Sequence, residues 1–258
     1  MGSDYLTDAA YETYWYKLEG IRERIGESLE LRTRMNILDV GTGYALFAIE
    51  MAKRVKRGLV IGIDIVNDGV IKAKKLTKDR GVAGIVSIVK MDAVEFAFPS
   101  HCFDLTTSFL GMRDIYMTRG KKGVRNTVEE MIRVVKPNGK IVLCSTPPED
   151  METEDQQTAV ELEGDVFGAK SLPKKFYIDV FDKHHVRLKR VGAFFTNKKM
   201  SANQTKTEIK DGIEIARRIY GRKVPTFEEV WAKYGNRIEA SGYGMYAKIV
   251  TLEAQKTQ

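Results

Sequence analysis

Two glycines beside an acidic residue form the stretch of this sequence with the clearest chemical potential. The run Asp39-Val40-Gly41-Thr42-Gly43 separates two apolar segments, which predicts a strand that turns directly into a helix. Glycine has no side chain, so such a turn lets backbone N–H groups and a helix N-terminus approach the polar groups of a ligand. A dinucleotide fingerprint would need glycine where Leu46 stands, which argues against a nicotinamide or flavin enzyme.

The segment Ile37–Ala45 resembles the first motif of class I S-adenosylmethionine-dependent methyltransferases, an acidic residue followed by glycines at alternate positions. Ala45 departs from that pattern at the last glycine. Three later segments resemble the family's next motifs in the same order: Gly62-Ile63-Asp64, Lys90-Met91-Asp92-Ala93 and Phe103–Ser108. Four segments in order are more specific than one glycine loop.

The resemblance implies S-adenosylmethionine as the cofactor. It assigns Asp64 to the two ribose hydroxyls, because a carboxylate offers two acceptor oxygens, and Asp92 with the next backbone N–H to the adenine. The cofactor-binding residues that it implies are Asp39, Gly41, Thr42, Gly43, Asp64, Ile65, Asp92, Ala93 and Phe109. The residues alone leave simpler interpretations open: an ordinary turn for the glycines, a helix cap for Asp64 and a loop turn for Asp92.

Arg113 and Asp114 are the candidate substrate-binding residues. They end the segment Phe109–Asp114, just beyond the fourth predicted strand, at the carboxyl edge where open α/β sheets bind their ligands. The segment is also similar to the corresponding stretch of ubiquinone and menaquinone biosynthesis methyltransferases. A local ion pair or cap would explain both side chains equally well.

No residue is assigned a catalytic role from the sequence. A sulfonium already activates its methyl group, so the protein mainly has to align the acceptor and exclude water. If the acceptor must lose a proton, Asp114, Tyr14 or Tyr16 is a candidate base by position. The three histidines are expected on solvated surfaces, and no metal site is expected.

The predicted fold class is α/β. Apolar runs alternate with helical patterns from Asn36 to Ser145, which predicts βαβ units and a mostly parallel sheet buried on both faces. The resemblance implies the doubly wound, seven-stranded, Rossmann-like methyltransferase fold, with Lys189–Thr196 and Gly244–Glu253 as the last two strands. Residues 1–258 are expected to form a single domain.

Several regions stand outside this alternation. Residues 1–35 are expected to form an N-terminal helical cap, and residues 201–241 a helical insertion before the last strand. Such an insertion should emerge on the active-site side and form part of the substrate pocket or a lid. We expect Glu149–Asp165 to be a loop or short exposed helix, Lys174–Leu188 a helix, and the basic stretch Arg119–Arg125 a solvated loop.

Composition limits the classes of function. The 258 residues carry a net charge of +7, and the excess is spread over both halves of the chain. This charge slightly favours anionic partners. The two cysteines are too few for a disulfide framework. With no long apolar run and no secretion signal, these features favour a cytoplasmic protein without a membrane span.

The function favoured by the sequence is methyl transfer to a small molecule, since no nucleobase-specific motif is present and the insertion is expected to enclose the site. The basic balance and the stretch Arg119–Arg125, which could contact phosphates, keep a methyltransferase of RNA or protein open, and strong salt-dependent RNA affinity would favour it. A noncatalytic S-adenosylmethionine-binding module is a third hypothesis for the function, because proteins with the same fold can have different functions.

Overall fold

The computed structural model describes residues 18–196, 198–218, 221 and 223–257. Its strands are β1 (Asn36–Val40), β2 (Leu59–Asp64), β3 (Val86–Lys90), β4 (Phe103–Phe109), β5 (Val135–Ser145), β6 (Val186–Phe195) and β7 (Lys248–Lys256). They form a single sheet in the order β3-β2-β1-β4-β5-β7-β6. The first five strands are parallel, and β7 lies antiparallel between β5 and β6. The predicted fold class is confirmed.

Helices cover both faces of this sheet. Among the described residues they are α1 (Glu19–Ser28), α2 (Leu46–Val55), α3 (Asn67–Asp79), α4 (Gly111–Val134), α5 (Glu154–Leu162), α6 (Lys174–Lys183), α7 (Ala202–Arg218) and α8 (Phe227–Ser241). None of these helices is both long and apolar enough to span a membrane. Tyr14 and Tyr16, with residues 1–17 of the expected N-terminal cap, lie outside the described residues.

Alternation along β1 explains the two layers of core. Ile37 belongs to one apolar cluster, with residues of α1, α2 and α3, whereas Leu38 and Val40 belong to another, with residues of α4 and α6. All three side chains are fully buried. Successive strand side chains point to opposite faces, so a continuous apolar strand needs helices on both sides.

A third apolar cluster lies beside the carboxyl edge of the sheet. It joins α5 and the π-helical turn Glu163–Phe167 to α7 and α8. A capping box begins α8, where the Thr226 hydroxyl accepts from the Glu229 N–H and the Glu229 carboxylate accepts from the Thr226 N–H. The insertion therefore packs as a layer of its own.

The segment Glu149–Asp165 is more ordered and more buried than expected. It contains a 3₁₀ turn at Pro148–Asp150, then α5 and the start of the π-helical turn. Ala159 and Leu162 bury one face of it in the third cluster, next to Val166 of the same π-helical turn. Their spacing is helical, but the surrounding acidic residues obscured it in the sequence.

The basic stretch Arg119–Arg125 was wrongly expected to be a loop. It is part of α4, which is interrupted only at Gly120, where φ is +64° and ψ is −171°. The predicted helix over Lys174–Leu188 is too long, because α6 ends at Lys183 and β6 starts at Val186. His185 turns the chain there with φ of +54°.

Candidate active site

The glycine loop between β1 and α2 forms the centre of the site. Gly41 and Gly43 have φ of +66° and +54°, a conformation that glycine adopts without steric cost. A Cβ on Gly41 would lie 3.2 Å from the Gly111 Cα, so the loops after β1 and β4 approach closely. Ala45 also has a left-handed backbone, with φ of +63°, which explains why glycine is common at this position of the motif.

Asp39 is held at the floor of the main cavity. Its side chain is 1% exposed; Oδ2 accepts a hydrogen bond from the Thr42 hydroxyl at 2.6 Å, and Oδ1 has no hydrogen-bond partner. Burial raises the pKa of Asp39 to about 7, although the Thr42 hydrogen bond and the charge of Arg22 act in the opposite direction. A buried carboxylate with an unused oxygen favours a cationic or donor ligand.

Asp64 connects the glycine loop to the end of β2. Its Oδ2 accepts from the Gly43 N–H and its Oδ1 from the Val66 N–H, both at 2.9 Å. Burial raises the pKa of Asp64, and these backbone hydrogen bonds partly offset the rise. Asp64 is not the helix cap, because the N-cap of α3 is Val66 and that helix has no side-chain cap hydrogen bond. Each carboxylate oxygen of Asp64 still has acceptor capacity for a ligand.

The nine predicted cofactor residues line two adjoining cavities. Asp39, Gly41, Thr42, Gly43, Asp64 and Phe109 line the main cavity, and Ile65, Asp92 and Ala93 line a side cavity that also borders Gly41 and Asp64. Asp92 accepts from the Val94 N–H at 3.1 Å and from Arg119 at 2.8 Å. Burial acts to raise the pKa of Asp92, but these hydrogen bonds hold it below its usual value.

The two predicted substrate residues both line the main cavity, and Asp114 also lines the side cavity. Arg113 is buried and pairs with Glu163 at 2.5 Å, and the Tyr243 hydroxyl donates to the same carboxylate at 3.1 Å. Asp114 is exposed toward the cavity. Desolvation by the surrounding protein raises the pKa of Asp114 to about 6, although the positive charge of Arg113 acts to lower it. Both side chains are thus in contact with ligand space.

Helix α7 contributes an apolar surface that carries one carboxyl group. Gly212, Ile215 and Ala216 line the main cavity together with Glu208. Burial raises the pKa of Glu208 to about 8, and the charge of Glu163 adds to the rise. The insertion predicted at residues 201–241 therefore borders the cavity through these side chains.

Three charged residues of the cavity were missed in the sequence: Arg22, Glu163 and Glu208. They come from α1, the π-helical turn and α7, which only the tertiary fold brings together. Gly212 was an available signal, because a glycine inside a helical pattern often has a packing reason. A Cβ there would lie 2.7 Å from Cζ of Phe167.

Other candidates lie outside both cavities. His101, His184 and His185 are exposed and line neither one. Within the described part of the chain, no group of three or more His, Cys, Asp or Glu side chains could hold a metal ion.

Comparison with known proteins agrees with this geometry. Residues 37–139 match the family model described as "Methyltransferase domain". The match supports a class I S-adenosylmethionine-dependent methyltransferase domain over this segment. The predicted family, enzyme class and cofactor are confirmed at this level. The residues fit that cofactor, since the glycine loop leaves room for close approach and the unpartnered Asp39 oxygen suits a cationic group.

The chain matches its curated relatives over about half of their length. The ubiquinone/menaquinone biosynthesis C-methyltransferase of Idiomarina loihiensis is 33% identical over 115 residues, 44% of this chain and 43% of that protein. The demethylmenaquinone methyltransferase of Desulfitobacterium hafniense is 28% identical over 48% of this chain and 47% of its own.

Solved structures share the fold over nearly the whole chain. The YcgJ protein from Bacillus subtilis has a TM-score of 0.63 at 17% identity, covering 95% of this chain and all of that one. The geranyl diphosphate C-methyltransferase of Streptomyces coelicolor has a TM-score of 0.60 at 10% identity, covering 99% and 85%. At these identities the likeness establishes the fold alone.

Proposed function

We propose that this chain transfers the methyl group of S-adenosylmethionine to a small, largely apolar acceptor. The observation that carries the proposal is the pair of adjoining cavities at the carboxyl edge of the sheet. Strand-end carboxylates and glycine backbone line them, and apolar side chains of the insertion line the main cavity. A cofactor and an acceptor bound there would be held close together and would displace water.

The proposed cofactor contacts follow from the acceptor and donor groups at the strand ends. Asp64 would accept from the ribose hydroxyls with the lone pairs that Gly43 and Val66 leave available. Asp92 and the backbone of Ala93 would contact the adenine in the side cavity. When bound there, the cofactor supplies a methyl group activated by a sulfonium.

The acceptor end combines apolar walls with a few polar groups. Phe167, Met245 and Ile215 supply apolar surface, while Arg113 and Asp114 would orient the acceptor. Asp114 and Glu208 are the proposed proton acceptors if the acceptor atom carries a proton, because their raised pKa values suit proton transfer near neutral pH. Quinone-pathway relatives and a neighbour crystallised with geranyl diphosphate also favour a small acceptor.

A polymer acceptor has less support. The basic stretch that suggested RNA is engaged within the fold: Arg119 pairs with Asp92, and Lys121 and Arg125 lie over the Phe176 ring at 5.5 and 5.3 Å. The cytoplasm is the proposed location, and the free thiols of Cys102 and Cys144 are consistent with a reducing compartment.

Calorimetry of cofactor binding tests the reaction class. The wild type should bind S-adenosylmethionine and S-adenosylhomocysteine, and Asp64→Ala should weaken both by at least about tenfold through the loss of charged hydrogen bonds. Asp79→Ala, which removes an exposed carboxylate of α3, is the matched control. Absence of binding by the wild type would overturn the proposal.

A labelled-methyl assay tests the acceptor class. S-adenosylmethionine with a labelled methyl group is incubated with a panel of hydroquinones, isoprenoids and small amines, and separately with RNA and protein. Label should enter a small molecule only. Transfer to RNA or protein alone would contradict the small-acceptor proposal, and cofactor binding without any transfer would favour a noncatalytic module.

A further inference from the structure

Glu208 is a carboxyl group of the main cavity that has no partner in the described part of the chain. It lies on α7 and lines the cavity with Gly212 and Ile215 of the same helix. Among the described residues its carboxyl group forms no hydrogen bond or ion pair. Burial, together with the negative charges of Glu163 and Asp211, raises the pKa of Glu208 to about 8. A desolvated carboxyl group lowers stability unless a partner satisfies it, and a ligand in the cavity can be that partner.

Asp114 is a second carboxyl group of the same kind. It lies in the first turn of α4 and lines both the main and the side cavity. Its carboxyl group also forms no hydrogen bond or ion pair with the described residues. The neighbouring guanidinium of Arg113 is engaged by Glu163 at 2.5 Å. In the described part of the chain, Glu208 and Asp114 thus line ligand space without a bound cation.

The buried Tyr246 shows that these groups converge on one place. It lines the main cavity and is 7% exposed. Burial is the main reason that the pKa of its hydroxyl is raised, and four nearby charges also act on that pKa: Arg113, Glu163, Asp114 and Glu208. Interactions between charges weaken with distance, so elements far apart in sequence bring these four groups around one tyrosine.

The charges that line the main cavity favour a cation in addition to the cofactor. Among the described residues, five carboxyl groups and two guanidinium groups line it. S-adenosylmethionine would add only the charge of its sulfonium, because its carboxylate and its ammonium group cancel. Carboxyl groups then remain in excess, and this excess favours a positively charged second ligand over an anionic or neutral one.

We propose that the methyl acceptor is an amine with an apolar body, bound as an ammonium ion between Glu208 and Asp114. This inference rests on the proposed function and names the class of its acceptor. The apolar side chains of Phe167, Ile215 and Met245 line the same cavity and would contact the body of the amine. Charge-assisted hydrogen bonds from the ammonium group to the two carboxylates would set its position.

Transfer to an ammonium ion requires a base, and Asp114 borders both cavities. In the proposed step, the Asp114 carboxylate accepts a proton from the ammonium group, which frees the lone pair on nitrogen. That lone pair forms a bond to the methyl carbon, while the carbon–sulfur bond breaks and its electrons remain on sulfur. The products are an N-methylated ammonium ion and S-adenosylhomocysteine, and the proton on Asp114 leaves to solvent.

Matched amines and alcohols test the charge preference by calorimetry. Phenethylamine and phenethyl alcohol, cyclohexylamine and cyclohexanol, and butylamine and butanol are each titrated into wild type saturated with S-adenosylhomocysteine, which occupies the cofactor site. The amine of at least one pair should bind about 10- to 100-fold more tightly than its alcohol, the range of a hydrogen bond to a charged group. If no amine binds more tightly than its alcohol, the inference is overturned.

Proton release gives a second readout on the same complex. At pH 7 Glu208 is largely protonated in the absence of a ligand, since its pKa is about 8. A bound ammonium group should ionise it and release up to about one proton, which calorimetry in two buffers of different ionisation enthalpy measures. Binding of the amine without proton release would contradict contact with Glu208.

Glu208→Gln connects the preference to this side chain. The variant should weaken binding of the preferred amine about tenfold, leave its alcohol within about twofold and lose most of the proton release, with the affinity for S-adenosylhomocysteine unchanged. Glu214→Gln removes a carboxyl group from an exposed position of α7 and should keep the wild-type values. Equal weakening of amine and alcohol by Glu208→Gln would give Glu208 a purely structural role and overturn the inference.

Labelled methyl transfer separates this inference from the proposed function. Label from S-adenosylmethionine should enter the nitrogen of an amine. If label enters hydroquinones or isoprenoids and no amine, the proposed function is retained and only the amine inference fails. If the wild type does not bind S-adenosylhomocysteine, both fail together.

Discussion

Asp39 couples the stability of the fold to pH. Its folded-state pKa is raised by burial from 3.8 to about 7, so between about pH 4 and 7 the folded chain binds a proton that the unfolded chain has released. The free energy of unfolding therefore falls as pH rises through this interval, and the loss is complete above pH 7. Ionised Asp39 therefore lowers the stability of the folded protein at a position that borders the proposed cofactor site.

Asp39→Asn should remove that coupling. In urea unfolding at pH 5, 6, 7 and 8, the variant should lose less stability with rising pH than the wild type, and at pH 8 it should be more stable by about 1–4 kcal/mol. Binding of S-adenosylhomocysteine should weaken because a charged partner is lost. Asp182→Asn, at an exposed site, should leave the wild-type pH profile. Parallel profiles for wild type and Asp39→Asn would contradict the assignment.

The buried pair of Arg113 and Glu163 makes a second residue-scale prediction. Both side chains are at most a tenth exposed, so removing the charge of Glu163 leaves a buried guanidinium without its ion-pair partner. Glu163→Gln should cost about 3 kcal/mol in urea unfolding, and the double variant Arg113→Met, Glu163→Leu should recover most of it. Lys175→Met breaks an exposed pair with Asp179 and should change stability little. Additive effects of the two buried substitutions would argue against a coupled pair.

How far the sequence predicts the site depends on how local each contact is. Asp39, Gly41 and Asp64 were predicted from motifs that are short and continuous in sequence and resemble a known family, and all three line the main cavity. Arg22, Glu163 and Glu208 were not, because they reach the cavity from elements far from the motifs and from one another.

At the scale of elements, the spacing of apolar residues predicted the insertion helix correctly, whereas local composition misled the prediction of two other segments. The spacing of Ile209, Ile213 and Ala216 predicted α7, and these residues are buried as expected. Acidic composition concealed the buried face of α5, and glycine-spaced basic residues suggested a loop where α4 continues through Gly120. Tertiary burial decides such segments, and local composition does not report it.

Deletion of residues 203–238 tests the insertion as an element. An antiparallel bridge joins Met200 and Tyr243, with N–H to O distances of 2.9 and 3.1 Å, so both ends of the insertion already lie side by side. We expect S-adenosylhomocysteine affinity to stay within about threefold of the wild type and methyl transfer to fall by at least about tenfold, because acceptor alignment and water exclusion are lost. Unchanged transfer would contradict a role at the acceptor end.

A milder variant separates this effect from exposure of the third apolar cluster. In Gly212→Val the new side chain would meet the Phe167 ring, which displaces α7 from the cavity without removing it. Methyl transfer by Gly212→Val should fall, as in the deletion. Its affinity for S-adenosylhomocysteine should match that of the wild type. Gly84→Ala, where an added Cβ meets nothing within 4 Å, should match the wild type in both measurements.

At the scale of the whole molecule, the cavity joins parts of the chain that are distant in sequence. Its walls come from α1, the glycine loop, the start of α4, the π-helical turn and α7. A ligand bound there contacts all of these at once, whereas α6 lies outside the cavity, packed against β6 and α4. Ligand binding should therefore reduce local opening in several separate segments together.

Hydrogen exchange with and without S-adenosylhomocysteine measures this directly. Amides that exchange by local opening should slow in the glycine loop, α1 and α7, and those of α6 should not, while amides that exchange only by global unfolding slow everywhere by mass action. Protection of the glycine loop alone by S-adenosylhomocysteine would separate α1 and α7 from the cofactor site.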